Sequence, residues 1–126
     1  MTLKSGVDIS RIHPGIIKAN AIIDKLWAAF FPEDLDGATI TSGHEVARNA
    51  EGKLYHKDIS RHYISNCKSG FGEAEDYRLH DVEQRKATIF GGIVWTVLSV
   101  LIPDIEFSIF LEEMLTENSH MHIQIK

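Results

Sequence analysis

The chain has 126 residues, 44% of them hydrophobic and 25% charged, which is the size and balance of one globular domain built around a single core. Thirteen basic residues stand against eighteen acidic ones, a formal net charge of −5, and the absence of a basic stripe argues against non-specific nucleic-acid binding. The lone cysteine, Cys67, allows no internal disulfide, so the chemistry to be sorted lies in seven histidines, a residue type that serves as metal ligand and as acid/base.

Residues 1–10 carry no long apolar run of the secretory kind, so the expected location is cytoplasmic, with export by another route left open. Residues 14–31 predict a first helix. Pro14 suits the first helical position, Ile16, Ile23, Leu26, Trp27 and Phe30 recur on one face, and Pro32 closes the segment. Residues 38–41 (ATIT) predict a short strand ended by Gly43, and residues 44–61 are polar and irregular. Residues 73–78 predict a second short strand after Gly70 and Gly72.

Residues 81–101 predict the second helix, with Asp81 as N-cap, Glu83 in the first turn, and a wide apolar stripe from Ile89 to Leu101. The uncharged run between Lys86 and Asp104 is shorter than a typical spanning helix and contains Thr88, Gly91, Gly92, Thr96 and Ser99, so it reads as a core helix and no membrane insertion is expected. Residues 105–112 and 119–126 predict a terminal hairpin turning at 114–118. In its last strand His120, His122 and Gln124 share one face and Met121, Ile123 and Ile125 the other. The whole predicts an α+β domain with a small antiparallel sheet packed against two main helices.

In a strand, His120 and His122 project the same way, about 7 Å apart. Taken alone, that pair fits a solvated strand face better than a site. Ser60-Arg61-His62 and Gly72-Glu73-Ala74-Glu75-Asp76 add a third imidazole and a carboxylate, and two histidines with one carboxylate make a reasonable catalytic zinc set with a fourth position for water. Cys67 reads better as a free loop thiol than as a ligand, and His13, His44 and His80 as a helix-start, a loop and an exposed residue.

The order Ile40-Thr41-Ser42-Gly43, then Ser60-Arg61-His62, then Gly72-Glu73-Ala74-Glu75-Asp76, then His120-Met121-His122 resembles the M15-type zinc peptidases. These comprise D-alanyl-D-alanine carboxypeptidases, L-alanyl-D-glutamate endopeptidases and the related hedgehog signalling domain. The resemblance spans nearly the whole chain and implies a hedgehog/DD-peptidase-like fold with Zn2+ held by His62, Asp76 and His122. It gives His120 a part in proton transfer or transition-state support. It leaves two glutamates as general base. Glu112 closes the block 107–112 (FSIFLE) and is preferred; Glu117 stands three before His120. Glu113 is expected on the opposite face of that strand.

Ser60 resembles a serine that contacts substrate. Arg48 and Arg61, neither matching by position, are candidates for the arginine that holds a substrate carboxylate, and His56 for a residue orienting a ligand from behind. His62 and Asp76 stand fourteen positions apart, farther than the family's usual spacing, and residues 64–70 (ISNCKSG) are expected to loop out. The resemblance implies a peptidoglycan-derived peptide as substrate and an endopeptidase before a carboxypeptidase, in the manner of a phage or prophage lytic enzyme. A non-catalytic zinc-containing binding module on the same fold is the alternative, and a metal-free α+β domain the third reading.

Overall fold

Helix α1 (Pro14–Phe30) starts where the sequence places it, because His13 caps it: its Nδ1 accepts the Gly15 N–H at 3.0 Å, and Pro14 occupies the first turn without losing a bond. The helix ends one residue early, with the Phe31 N–H closing on the Trp27 carbonyl at 2.7 Å. The structure is a computed structural model that describes residues 1–44 and 59–126.

Five strands form one mixed sheet: β1 (Thr2–Leu3), β2 (Thr39–Ser42), β3 (Ala74–Arg78), β4 (Phe107–Glu112) and β5 (His120–Ile125), in the order β1-β2-β3-β5-β4. The fold class is α+β, but the sheet is not wholly antiparallel. Strand β1 runs parallel to β2, with Thr2 opposite Thr39. Parallel neighbours need a long crossover, and α1 supplies it. A two-residue strand carries no alternation to read, which is why the sequence did not announce it.

Helix α2 (Gln84–Leu101) starts two residues later than an N-cap at Asp81 implied. Residues 79–82 close a turn instead, with the Val82 N–H on the Leu79 carbonyl at 2.8 Å, while the Asp81 carboxylate lies 3.0 Å from His80 Nε2. Glu83 becomes the N-cap and makes no side-chain capping bond. Among the described residues, no helix is long and apolar enough to cross a membrane.

Both helices pack on one face of the sheet. Ile16, Ala19, Ile23 and Trp27 of α1 and Ala87, Phe90, Val94 and Leu98 of α2 cover Ile40, Tyr77, Met121 and Ile123. Trp27, Phe31 and Phe90 stack edge and tilt, with centroids 4.3 to 5.4 Å apart. Each strand alternates, so the opposite face receives Asp76, His120, His122 and Gln124.

Three polar side chains lie inside the apolar layer. Asn20 of α1, Glu75 and Tyr77 form a closed triangle. Asn20 Nδ2 lies 3.2 Å from Glu75 Oε1, and the Tyr77 hydroxyl lies 3.0 Å from Glu75 Oε2 and within bonding reach of Asn20 Oδ1. Three contacts need three hydrogens. Asn20 supplies one and Tyr77 one, so the third must sit on Glu75. Rotating the Asn20 amide does not change that count. Burial accordingly pushes the Glu75 carboxyl up to about 7, with the Asp76 charge adding to the rise, although Tyr77 and Asn20 pull it down.

Candidate metal centre

Asp76 sits in β3 directly opposite His122 in β5, so the register alone brings carboxylate and imidazole together. Asp76 Oδ1 is 2.8 Å from His122 Nδ1. The backbone is irregular between Ile40 and Ser42 as β2 meets β3, a bulge of the kind that re-aims side chains beside sites.

His62 reaches the pair from a loop. The Ser60 hydroxyl accepts the His62 N–H at 3.2 Å, and the Arg61 carbonyl accepts the Glu73 N–H at 3.0 Å, so this turn is laid against the start of β3. Between them a short 3₁₀ turn (Ile64–Asn66) and the left-handed Gly70 (φ 78°) carry residues 64–71 outward, mostly exposed. The long spacing therefore leaves His62 Nε2 only 3.2 Å from Asp76 Oδ2.

One ligand atom from each of His62, Asp76 and His122 lies within 4.8 Å of the others, and all three residues are buried. Tetrahedral zinc ligands stand about 3.3–3.6 Å from one another, given bonds of roughly 2.0–2.2 Å. The donor set, two nitrogens and a carboxylate oxygen, is therefore of the right chemistry and nearly the right spacing for a divalent zinc. Burial raises the Asp76 carboxyl, but hydrogen bonds and charge from His122 and His62 outweigh it and hold the group well below the usual carboxylate range. Burial also pulls His122 down, and the bond and charge of Asp76, helped by Gln124 and Glu112, lift it above its ordinary value.

Each ring is also held from behind. His62 Nδ1 lies 2.8 Å from the Gly43 carbonyl, and His120 Nδ1 lies 2.7 Å from the Asn118 carbonyl. Gly43 has to be glycine, because a Cβ there would come within 2.3 Å of the Asp8 carbonyl. His122 Nε2 lies 2.9 Å from Gln124 Oε1, a partner to which the sequence reading gave no role. The strand period could have found it, since Gln124 follows His122 by two.

Glu112 and Glu117 are separated by the structure. Glu112 pairs across the ladder with His120, and its carboxylate lies 3.7 Å from His122 Nδ1 and 4.0 Å from His120 Nε2. It is about half exposed and lines an open cavity of about 640 Å3 with His62, His120 and His122. Glu117 is carried away by the hairpin turn and lines a separate depression with His80 and Glu83. Glu113 departs from expectation as well. The strand ends at Glu112, Glu113 adopts φ 52°, and its carboxylate lands 3.8 Å from His120 Nδ1 on the cavity side.

The remaining candidates fall elsewhere. Ser60 lines the cavity, with its hydroxyl engaged by the His62 backbone. Arg61 lines it too, but its guanidinium is ion-paired with the buried Glu73, which fastens the outward loop and leaves Arg61 poorly placed to hold a substrate carboxylate. His56 and Arg48 lie outside the described residues. His44 is tied to the 8–11 turn, its Nδ1 3.3 Å from the Arg11 N–H and its Nε2 3.3 Å from Asp8 Oδ2. The Cys67 thiol donates to the Arg61 and Tyr63 carbonyls, away from the cluster. Compared with protein-family models, curated proteins and solved structures, the chain matches none.

Proposed function

We propose that this chain is a zinc-dependent peptidase that hydrolyses peptide bonds in peptidoglycan-derived peptides, on a hedgehog/DD-peptidase-like fold. The observation that carries the proposal is the convergence of His62, Asp76 and His122 beside the Glu112 carboxylate, from motifs that stand in the order of the peptidases the sequence resembles. The substrate class rests on that resemblance.

His62, Asp76 and His122 would hold the metal. When bound, zinc supplies Lewis acidity toward a carbonyl oxygen and toward water. Glu112 is the residue placed to take a proton from water and return it to the leaving amine, its carboxyl group half exposed and beside the cluster. His120, its Nδ1 engaged by the Asn118 carbonyl, turns Nε2 toward Asp76 at 3.8 Å and is placed to take part in proton transfer through the lone pair of that nitrogen.

A second reading, a zinc-containing module that binds without cleaving, draws support from Arg61. It is the one arginine among the described residues lining the cavity, and Glu73 already holds it. The same observation disfavours a carboxypeptidase, which must grip a terminal carboxylate. Metal analysis of the purified protein should give close to one zinc per chain, and digestion of peptidoglycan should release new amines. Zinc without release across several cell-wall chemotypes would favour the binding module. Protein that takes up no zinc would overturn both readings.

A further inference from the structure

His62, His120 and His122 share one arrangement. One ring nitrogen lies against a neutral carbonyl oxygen and the other faces Asp76. An imidazole N–H held by a carbonyl leaves the second nitrogen as the lone-pair donor, so the carbonyl selects the tautomer. For His62 and His120 that carbonyl is main chain, fixed by the fold. For His122 it is the side chain of Gln124, the only one of the three anchors that a substitution removes outright.

The neighbours of Gln124 suit that task. Its cross-strand partners are Ala74 and Ser108, both small, so the long amide side chain has room on the site face of the sheet beside His122. Gln124 is half-buried, so it is partly held by its surroundings while remaining tolerant of replacement.

We propose that Gln124 is a positioning residue for the metal centre: it accepts the Nε2–H of His122 and so presents Nδ1, not Nε2, toward the metal. This rests on the zinc reading above. His62, with its Nδ1 on Gly43, presents the opposite nitrogen, Nε2.

The test compares wild type with Gln124→Leu, which keeps bulk and loses the acceptor, and with Gln124→Glu, which restores an acceptor. Zinc affinity is read by chelator competition, and the ligating nitrogen of each histidine by long-range proton–nitrogen NMR of the zinc-loaded protein. Gln124→Leu should bind zinc about 10–100-fold more weakly, with the His122 ring no longer confined to one tautomer, and Gln124→Glu should recover both properties. Zinc-binding wild type whose His122 ligates through Nε2 overturns the inference and leaves the zinc reading standing. So does a Gln124→Leu protein of unchanged affinity and unchanged His122 signals. The wild-type spectrum decides even if the leucine variant folds poorly. Wild type that takes up no zinc sinks the zinc reading and this inference together.

Discussion

Glu75→Gln should stabilise the protein above neutral pH and leave it nearly unchanged in mild acid. The Asn20–Glu75–Tyr77 triangle is complete only when Glu75 carries a proton, and a glutamine amide supplies that third hydrogen at every pH. The folded-state carboxyl is raised from 4.5 to about 7, so the native state holds a proton that the unfolded chain has already lost across that interval. Stability from this group is fully present below about pH 4.5 and is lost as pH rises through about 7. At 1.36 kcal/mol per unit, the loss is at most about 3 kcal/mol, an upper limit for a largely buried group that can relax. Urea unfolding of both proteins at steps from about pH 4.5 to 8.5 isolates the effect, because contributions shared by the two proteins, from Asp76 and His122 above all, cancel in the difference. The glutamine variant should gain on wild type steadily through the interval. Parallel stability curves, or a glutamine variant weaker than wild type at pH 8, would refute the proton count.

Glu112→Gln should bind zinc normally and lose at least about 100-fold in peptide hydrolysis, the low end of what a general base contributes, while Glu117→Gln should keep the wild-type rate. The reverse pattern in a peptidoglycan digestion assay would reject the cross-strand assignment. Gly43→Ala would push a Cβ to 2.3 Å from the Asp8 carbonyl and 2.9 Å from Ile9 Cγ2, so the chain that carries the His62 anchor must shift. A loss of about 1–3 kcal/mol is expected in urea unfolding, with weaker zinc retention against a chelator; wild-type behaviour in both would show that a Cβ is accommodated at position 43 and refute the close-approach argument.

The parts of the fold legible in the sequence were those with a strong local signal. His13-Pro14 and Pro32 bracket α1, and the alternation of residues 120–125 gives β5 and both of its faces. Where the signal is tertiary, the reading drifted. Asp81 has the side chain of an N-cap, yet Val82 is drawn into a turn on Leu79 and the helix waits for Glu83. The three proposed ligands could be named from motifs, and between Glu112 and Glu117 motifs gave only a preference for Glu112. That choice depends on the path of the turn, which Glu113 and Leu115 fix with positive φ that no sequence pattern declared. Arg61 looked available because its partner, Glu73, is twelve residues away across an outward loop.

Glu75 and Asp76 show how one strand serves fold and site together. They are chain neighbours, both buried, and both carboxylates. The period of a strand sends them to opposite faces. Glu75 enters the layer beneath the helices, where its partners are an amide and a phenol, and burial drives it toward neutrality. Asp76 emerges on the other face between two imidazoles, where hydrogen bonds and charge outweigh an equally severe burial and keep it anionic. A shift of one residue in the pairing of β3 would exchange those environments. Asp76 would then lie in the apolar layer, where burial favours the neutral acid, and the longer Glu75 side chain would face His62 and His122. The hydrophobic residues that fix the register of β3, Tyr77 beneath α1 and Met121 across the ladder, therefore also fix which carboxylate the metal centre receives.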